Sequence, residues 1–153
     1  MTISRYSIVI LLLPLLSQAV SAETRDQRYY IAGPVEAELV SVIDGDTVMV
    51  NARPWPQQTV SVLVRIRGID TPELHSKCES SRQMALAAKD VLAEVLAAGS
   101  GKLTLSDISG DKYFGRVVAK ISFDRGHDAG ETMLAAGLAR PYDGGRKPKD
   151  ICN

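Results

Sequence analysis

The stretch T-V-S-V-L-V-R-I-R-G-I-D-T-P-E, residues 59–73, reads as a strand that runs into an acidic turn. Val60, Val62, Val64 and Ile66 alternate onto one face, which leaves Arg65 and Arg67 on the other. One side of this strand is therefore expected to build a core, and the opposite side to carry guanidinium groups. Arg65 offers a planar fork of the kind that grips phosphate oxygens. Asp70 and Glu73 offer hard carboxylate oxygens suited to Ca²⁺ or Mg²⁺. Pro72 fixes its own backbone and biases Thr71 towards extended geometry, holding the two acids apart. A cation site and an anion-binding arginine so close together suggest metal-assisted chemistry on a phosphate ester.

Working outward, Val35 to Ile43 is strand-like and meets Asp44-Gly45-Asp46-Thr47, a hairpin signal between apolar runs. Thr47 to Asn51 is the return strand, and Arg53-Pro54-Trp55-Pro56-Gln57 is expected to break it as a loop. Downstream, Glu79 to Ala98 has helical spacing, with a stripe of Met84, Ala88, Val91 and Val95 widened by Leu92 and Leu96, and Gly99 as its stop. Lys102–Ile108 and Arg116–Phe123 read as two more strands. In the second, Val117, Ala119, Ile121 and Phe123 share a face. A turn over 126–130 leads to a short helix, Glu131–Leu138, and a basic extended tail from Arg140. This order predicts a mainly β fold with helices (α+β): a five-stranded barrel of the oligonucleotide-binding (OB) type, capped by a helix.

The 153 residues suffice for one domain and its core. Arg5, the apolar run Ile8–Leu16 and Val20-Ser21-Ala22 form a secretory signal pattern. The expected division is a signal peptide over 1–22, a flexible leader over 23–34 and the folded domain over 35–153. Export to the periplasm or beyond follows, with no stable membrane association after cleavage. Cleavage would leave 17 basic and 18 acidic residues, a formal charge of −1, so this is no general nucleic-acid coat protein. Phosphate binding has to be local, and a monomer is expected. In an oxidising compartment the even pair Cys78 and Cys152 reads as a disulfide. His75 and His127 stand isolated in polar stretches and form no site.

Four runs remain: D-G-D-T at 44–47, R-I-R-G-I-D-T-P-E at 65–73, D-K-Y-F-G-R at 111–116 and A-R-P-Y-D-G-G at 139–145. In this order and spacing, over about Val35 to Gly145, they resemble the staphylococcal nuclease (thermonuclease) family, in particular its exported bacterial members. The resemblance implies that Asp46 and Asp70 are carboxylate ligands of Ca²⁺, with the backbone carbonyl of Thr71 beside them. It implies that Glu73 orients or deprotonates the attacking water, and that Arg65 and Arg116 hold the scissile phosphate. Lys112 and Tyr113 fall where substrate is bound. The implied reaction is Ca²⁺-dependent hydrolysis of DNA and RNA at the 5′ oxygen, leaving 3′-phosphate ends, with single strands favoured. The sequence departs from the family pattern at Phe114, an extra residue between Tyr113 and Gly115. Two other readings compete: a non-catalytic OB-fold module that binds single-stranded nucleic acid, and a domain whose acids hold calcium for stability alone.

Overall fold

In the computed structural model, which describes residues 29–145 and Lys147, the chain joins the sheet early. Strand β1 (Tyr30–Ile31) pairs with Ile108 and Ser109, so the end of the segment read as a flexible leader is part of the sheet. The stretch read as a signal peptide and Cys152 lie outside the described residues.

Strand β2 (Val35–Val42) buries Val35 and Ala37 and exposes Glu36 and Glu38. It pairs antiparallel with β3 (Thr47–Trp55), which pairs antiparallel with β4 (Gln58–Ile66). The expected loop over 53–57 shrinks to the turn at Pro56-Gln57, because β3 continues through Pro54. The β3–β4 register shifts between Ala52 and Trp55, and such an irregularity accommodates a residue without an N–H donor. Within β4, Val64 and Ile66 are buried, but Val60 is 44% exposed. The alternation on β4 therefore faces the core only at its inner end; its outer end belongs to a projecting hairpin.

A short strand, β5 (Ile69–Asp70), leads by way of the T-P-E turn to helix α1 (Glu79–Ala98). Strands β6 (Lys102–Gly110) and β7 (Arg116–Phe123) follow as a hairpin. β7 lies parallel to β4, and β6 lies antiparallel to β2. These pairings close β2, β3, β4, β7 and β6 into a five-stranded barrel, the expected OB-like architecture. After β8 (His127–Asp128) comes α2 (Ala129–Ala135), which starts two residues earlier than expected. Asp128 is its N-cap: the carboxylate accepts from the Glu131 amide at 2.9 Å. The tail returns as β9 (Arg140–Pro141), paired with β5.

Inside the barrel, Val48, Val50, Val64, Leu105, Ala119 and Ile121 are buried together with Leu92 and Leu96 of α1 and Met133 of α2. The buried edge of α1 is Ser81, Ala85, Ala88, Leu92 and Leu96; Met84, expected in the stripe, is 52% exposed, and Val91 is only partly buried. The helix rests on its small residues because it comes very close to the 44–47 turn. A Cβ placed on Gly45 would lie 2.7 Å from the Ala88 Cβ and 2.9 Å from Thr71 Oγ1. Gly45 is thus needed for close packing and has no positive φ to explain it.

That contact yields a stability prediction. Gly45→Ala should overpack the junction of the turn and α1 and destabilise the protein by about 1–3 kcal/mol. Chemical denaturation should show the loss, and a stability equal to wild type would show that α1 does not hold the turn.

Candidate active site

The site begins where the β2–β3 turn meets the end of β4. Thr47 pairs with Arg65, and the Ile66 amide donates to the Asp46 carbonyl at 2.8 Å. The Asp46 amide donates to Asp44 Oδ1 at 3.0 Å, a side-chain bond that holds the turn. Asp46 and Asp70 are both buried, 3% and 1% exposed. Arg65 bridges them: Nη1 lies 2.7 Å from Asp46 Oδ1 and Nη2 lies 3.0 Å from Asp70 Oδ1. Asp46 Oδ1 also accepts from Thr47 Oγ1, and Asp46 Oδ2 from the buried Thr71 amide at 3.2 Å. Asp46, Arg65, Asp70 and Thr71, far apart in sequence, therefore form one polar cluster.

Three further groups from the tail complete it, and sequence reasoning gave none of them a role. Arg140 donates from Nη2 and Nε to Asp70 Oδ2 at 2.6 and 3.1 Å. Lys147 Nζ lies 2.7 Å from Asp70 Oδ1 and also pairs with Glu73. The Arg65 guanidinium lies 5.6 Å from the Tyr142 ring centroid. The signal was the A-R-P-Y-D-G-G run, but only the Asp70–Arg140 pairing of β5 with β9 reveals its use. Glu73 remains largely exposed at the cluster's rim, held by Lys147.

Arg67, on the same strand face as Arg65, leaves the cluster. It donates to the Asp107 and Val118 carbonyls and to Ser109 Oγ, tying the irregular part of β6 to β7. On the strand next to β4, Arg116 opens β7, held by Asp111, and its guanidinium lies 4.7 Å from the Tyr113 ring centroid. Lys112 approaches the same ring at 5.1 Å. The extra residue Phe114 is fully exposed, and Gly115 beside it adopts φ +83°. The turn sends Phe114 outward, while Tyr113 lies against Arg116. Asp46, Arg65, Glu73, Lys112, Tyr113, Arg116, Tyr142 and Lys147 all line one cleft of about 950 Å³. Cys78, at the N-terminal cap of α1, is buried and does not line it.

The electrostatics of the two buried acids differ. Burial raises Asp46 to about 6, with Arg65 opposing and Asp44 adding to the rise. For Asp70 burial also pushes upward, but hydrogen bonds from Lys147, Arg140 and Arg65 overcome it and hold the carboxyl below its usual range. Burial disfavours the Arg65 charge, yet Asp46 and Asp70 together raise its pKa. Three acids, Asp46, Asp70 and Glu73, are thus matched by three cations, Arg65, Arg140 and Lys147.

Among the described residues no three His, Cys, Asp or Glu side chains gather closely enough to hold a metal ion. The donor chemistry nevertheless suits a hard divalent cation. Asp46 and Asp70 supply carboxylate oxygens, hard donors of the kind such an ion takes, and their present charged partners are side-chain cations.

A search of curated proteins returned no match. A family model described as staphylococcal nuclease homologue matches residues 63–151, more than half of the chain. The match begins within β4 and takes in Arg65, Asp70, Glu73 and Arg116; Asp46 lies before it and is joined to those residues by the fold. The chain belongs to the family of staphylococcal nuclease homologues.

Proposed function

We propose that this chain is an exported, Ca²⁺-dependent, sugar-nonspecific nuclease that hydrolyses the phosphodiester backbone of DNA and RNA to 3′-phosphate ends. The observation that carries this reading is the placement of two buried carboxylates around Arg65, which shares a cleft with Arg116 of the neighbouring strand. Asp46 and Asp70, with the Thr71 carbonyl, would hold Ca²⁺. Bound there, the ion supplies a Lewis acid that draws charge from a phosphoryl oxygen.

The remaining chemistry belongs to side chains. Arg65 and Arg116 donate paired N–H groups to the phosphate oxygens, where negative charge builds up. Glu73 sits at the rim, within the cleft but outside the buried pair, and takes the proton of the attacking water. Tyr113, flanked by Lys112 and Arg116, closes the side of the cleft that receives the nucleic-acid chain. The polymer's own charge is attracted locally, since the chain as a whole is neutral.

Cleavage of one short oligonucleotide and calcium titration test this directly. Asp46→Asn and Asp70→Asn should lose calcium binding and cleavage together. Glu73→Gln should keep much of the calcium affinity while turnover falls about 10²–10⁴-fold. Arg65→Lys should retain substrate while slowing the reaction, since the planar fork is lost. Undiminished cleavage in excess chelator would defeat the reading, whereas oligonucleotide binding with no cleavage would establish the non-catalytic module.

The raised Asp46 sets the pH dependence. Below about 6 this carboxyl holds a proton that a cation must displace. Calcium affinity should therefore fall by up to about tenfold per pH unit on the acid side, as expected for competition with one proton. Calorimetry at pH 5 and pH 7.5 measures it, and equal affinities would remove Asp46 from the cation site.

Export places Cys78 and Cys152 in an oxidising compartment, and we pair them on that ground. The bridge would close about 75 residues and stabilise by roughly 4 kcal/mol. Thiol labelling of native, unreduced protein decides this: both cysteines should resist it, and reduction should lower the melting temperature.

A further inference from the structure

Among the described residues Phe114 is the largest apolar side chain left wholly in water, although it sits on a well-held turn. The Asp111 amide donates to the Arg116 carbonyl at 3.2 Å, and the Arg116 amide to the Tyr113 carbonyl at 3.3 Å. Asp111 Oδ1 accepts from the Lys112 amide at 2.6 Å, and the Asp111 side chain also holds Arg116. The ring therefore projects from a fixed base. Its two neighbours towards the cleft, Lys112 and Arg116, already flank the Tyr113 ring.

Aromatic faces beside cations that follow a phosphate backbone form the combination that binds unpaired nucleotides, because every base offers a π-face. A duplex does not offer that face, since its bases are stacked on one another. We propose that Phe114 is a base-stacking residue: it takes the unpaired base next to the phosphate seated on Arg116 and so favours single-stranded substrate. This rests on the nuclease reading above. It also gives the extra residue of the 111–116 turn a task that neither the barrel core nor the buried acids require.

Fluorescence anisotropy in chelator, where cleavage is stopped, tests the assignment with three ligands. These are a short oligothymidylate, the same backbone made abasic, and a hairpin duplex. Phe114→Ala should weaken the oligothymidylate by about 5–100-fold, the range of base–aromatic stacking, and leave the other two ligands unchanged. Phe114→Tyr should restore binding, and Leu86→Ala, an exposed apolar change on α1, should have no effect. Because Phe114 packs against nothing, the Ala variant should melt as wild type does, which separates lost stacking from lost folding. Equal weakening of all three ligands, or no change in any, overturns the proposal. If Phe114→Ala binds and cleaves as wild type does, the stacking role alone fails. If wild type binds none of the ligands and cleaves nothing, the nuclease reading falls with it.

Discussion

One guanidinium held between two buried carboxylates determines the rest of this site. Arg65 is taken out of water, which alone would disfavour its charge, and only Asp46 and Asp70 together make the position tolerable. Ion pairs of this kind add little net stability, because desolvation offsets most of the attraction, but losing one partner strands a charge. The arrangement therefore acts as a positional constraint. It forces the β2–β3 turn, the end of β4 and the short β5 to meet at one place, whatever sequence lies between them.

Barrel closure makes that meeting possible. β4 pairs with β3 on one side and lies parallel to β7 on the other, so Arg65, near the end of β4, and Arg116, at the start of β7, line one cleft from neighbouring strands. Arg67, two residues beyond Arg65, is committed to the scaffold: its donors reach carbonyls of β6 and β7. Alternation puts the two arginines on the same face, yet one joins the carboxylate cluster and the other braces the scaffold. The difference lies in what each meets, a carboxylate pair or the carbonyls beside a strand irregularity.

Much of this was legible in the sequence wherever a strong period and a clear boundary coincided. The helix over 79–98 and the strand over 116–123 have the expected limits, and the barrel class follows from element order. The buried edge of the helix was misplaced at Met84 because hydrophobicity ranks methionine above alanine and serine, while contact distance at Gly45 selects the small side chains. Val60 was misread because periodicity records which residues share a face and not how far the core extends beneath it. The tail cations were invisible for a different reason. Arg140 finds Asp70 through a two-residue strand pairing across 70 positions, Lys147 reaches it from beyond that strand, and no local pattern encodes so distant a partner.

That pairing also sets an order of events. As a chain is made from its N-terminus, Asp70 exists well before two of the three cations that neutralise it, Arg140 and Lys147. Contacts so distant in sequence are made late in folding, after loop-closure entropy has been overcome. Until Arg140 arrives, a carboxylate destined for complete burial has one permanent cation at hand, Arg65, and every reason to stay in water. The acidic cluster is consequently finished only once residues 140–147 have emerged, so a polypeptide that stops short of them holds the barrel's strands without the completed cluster.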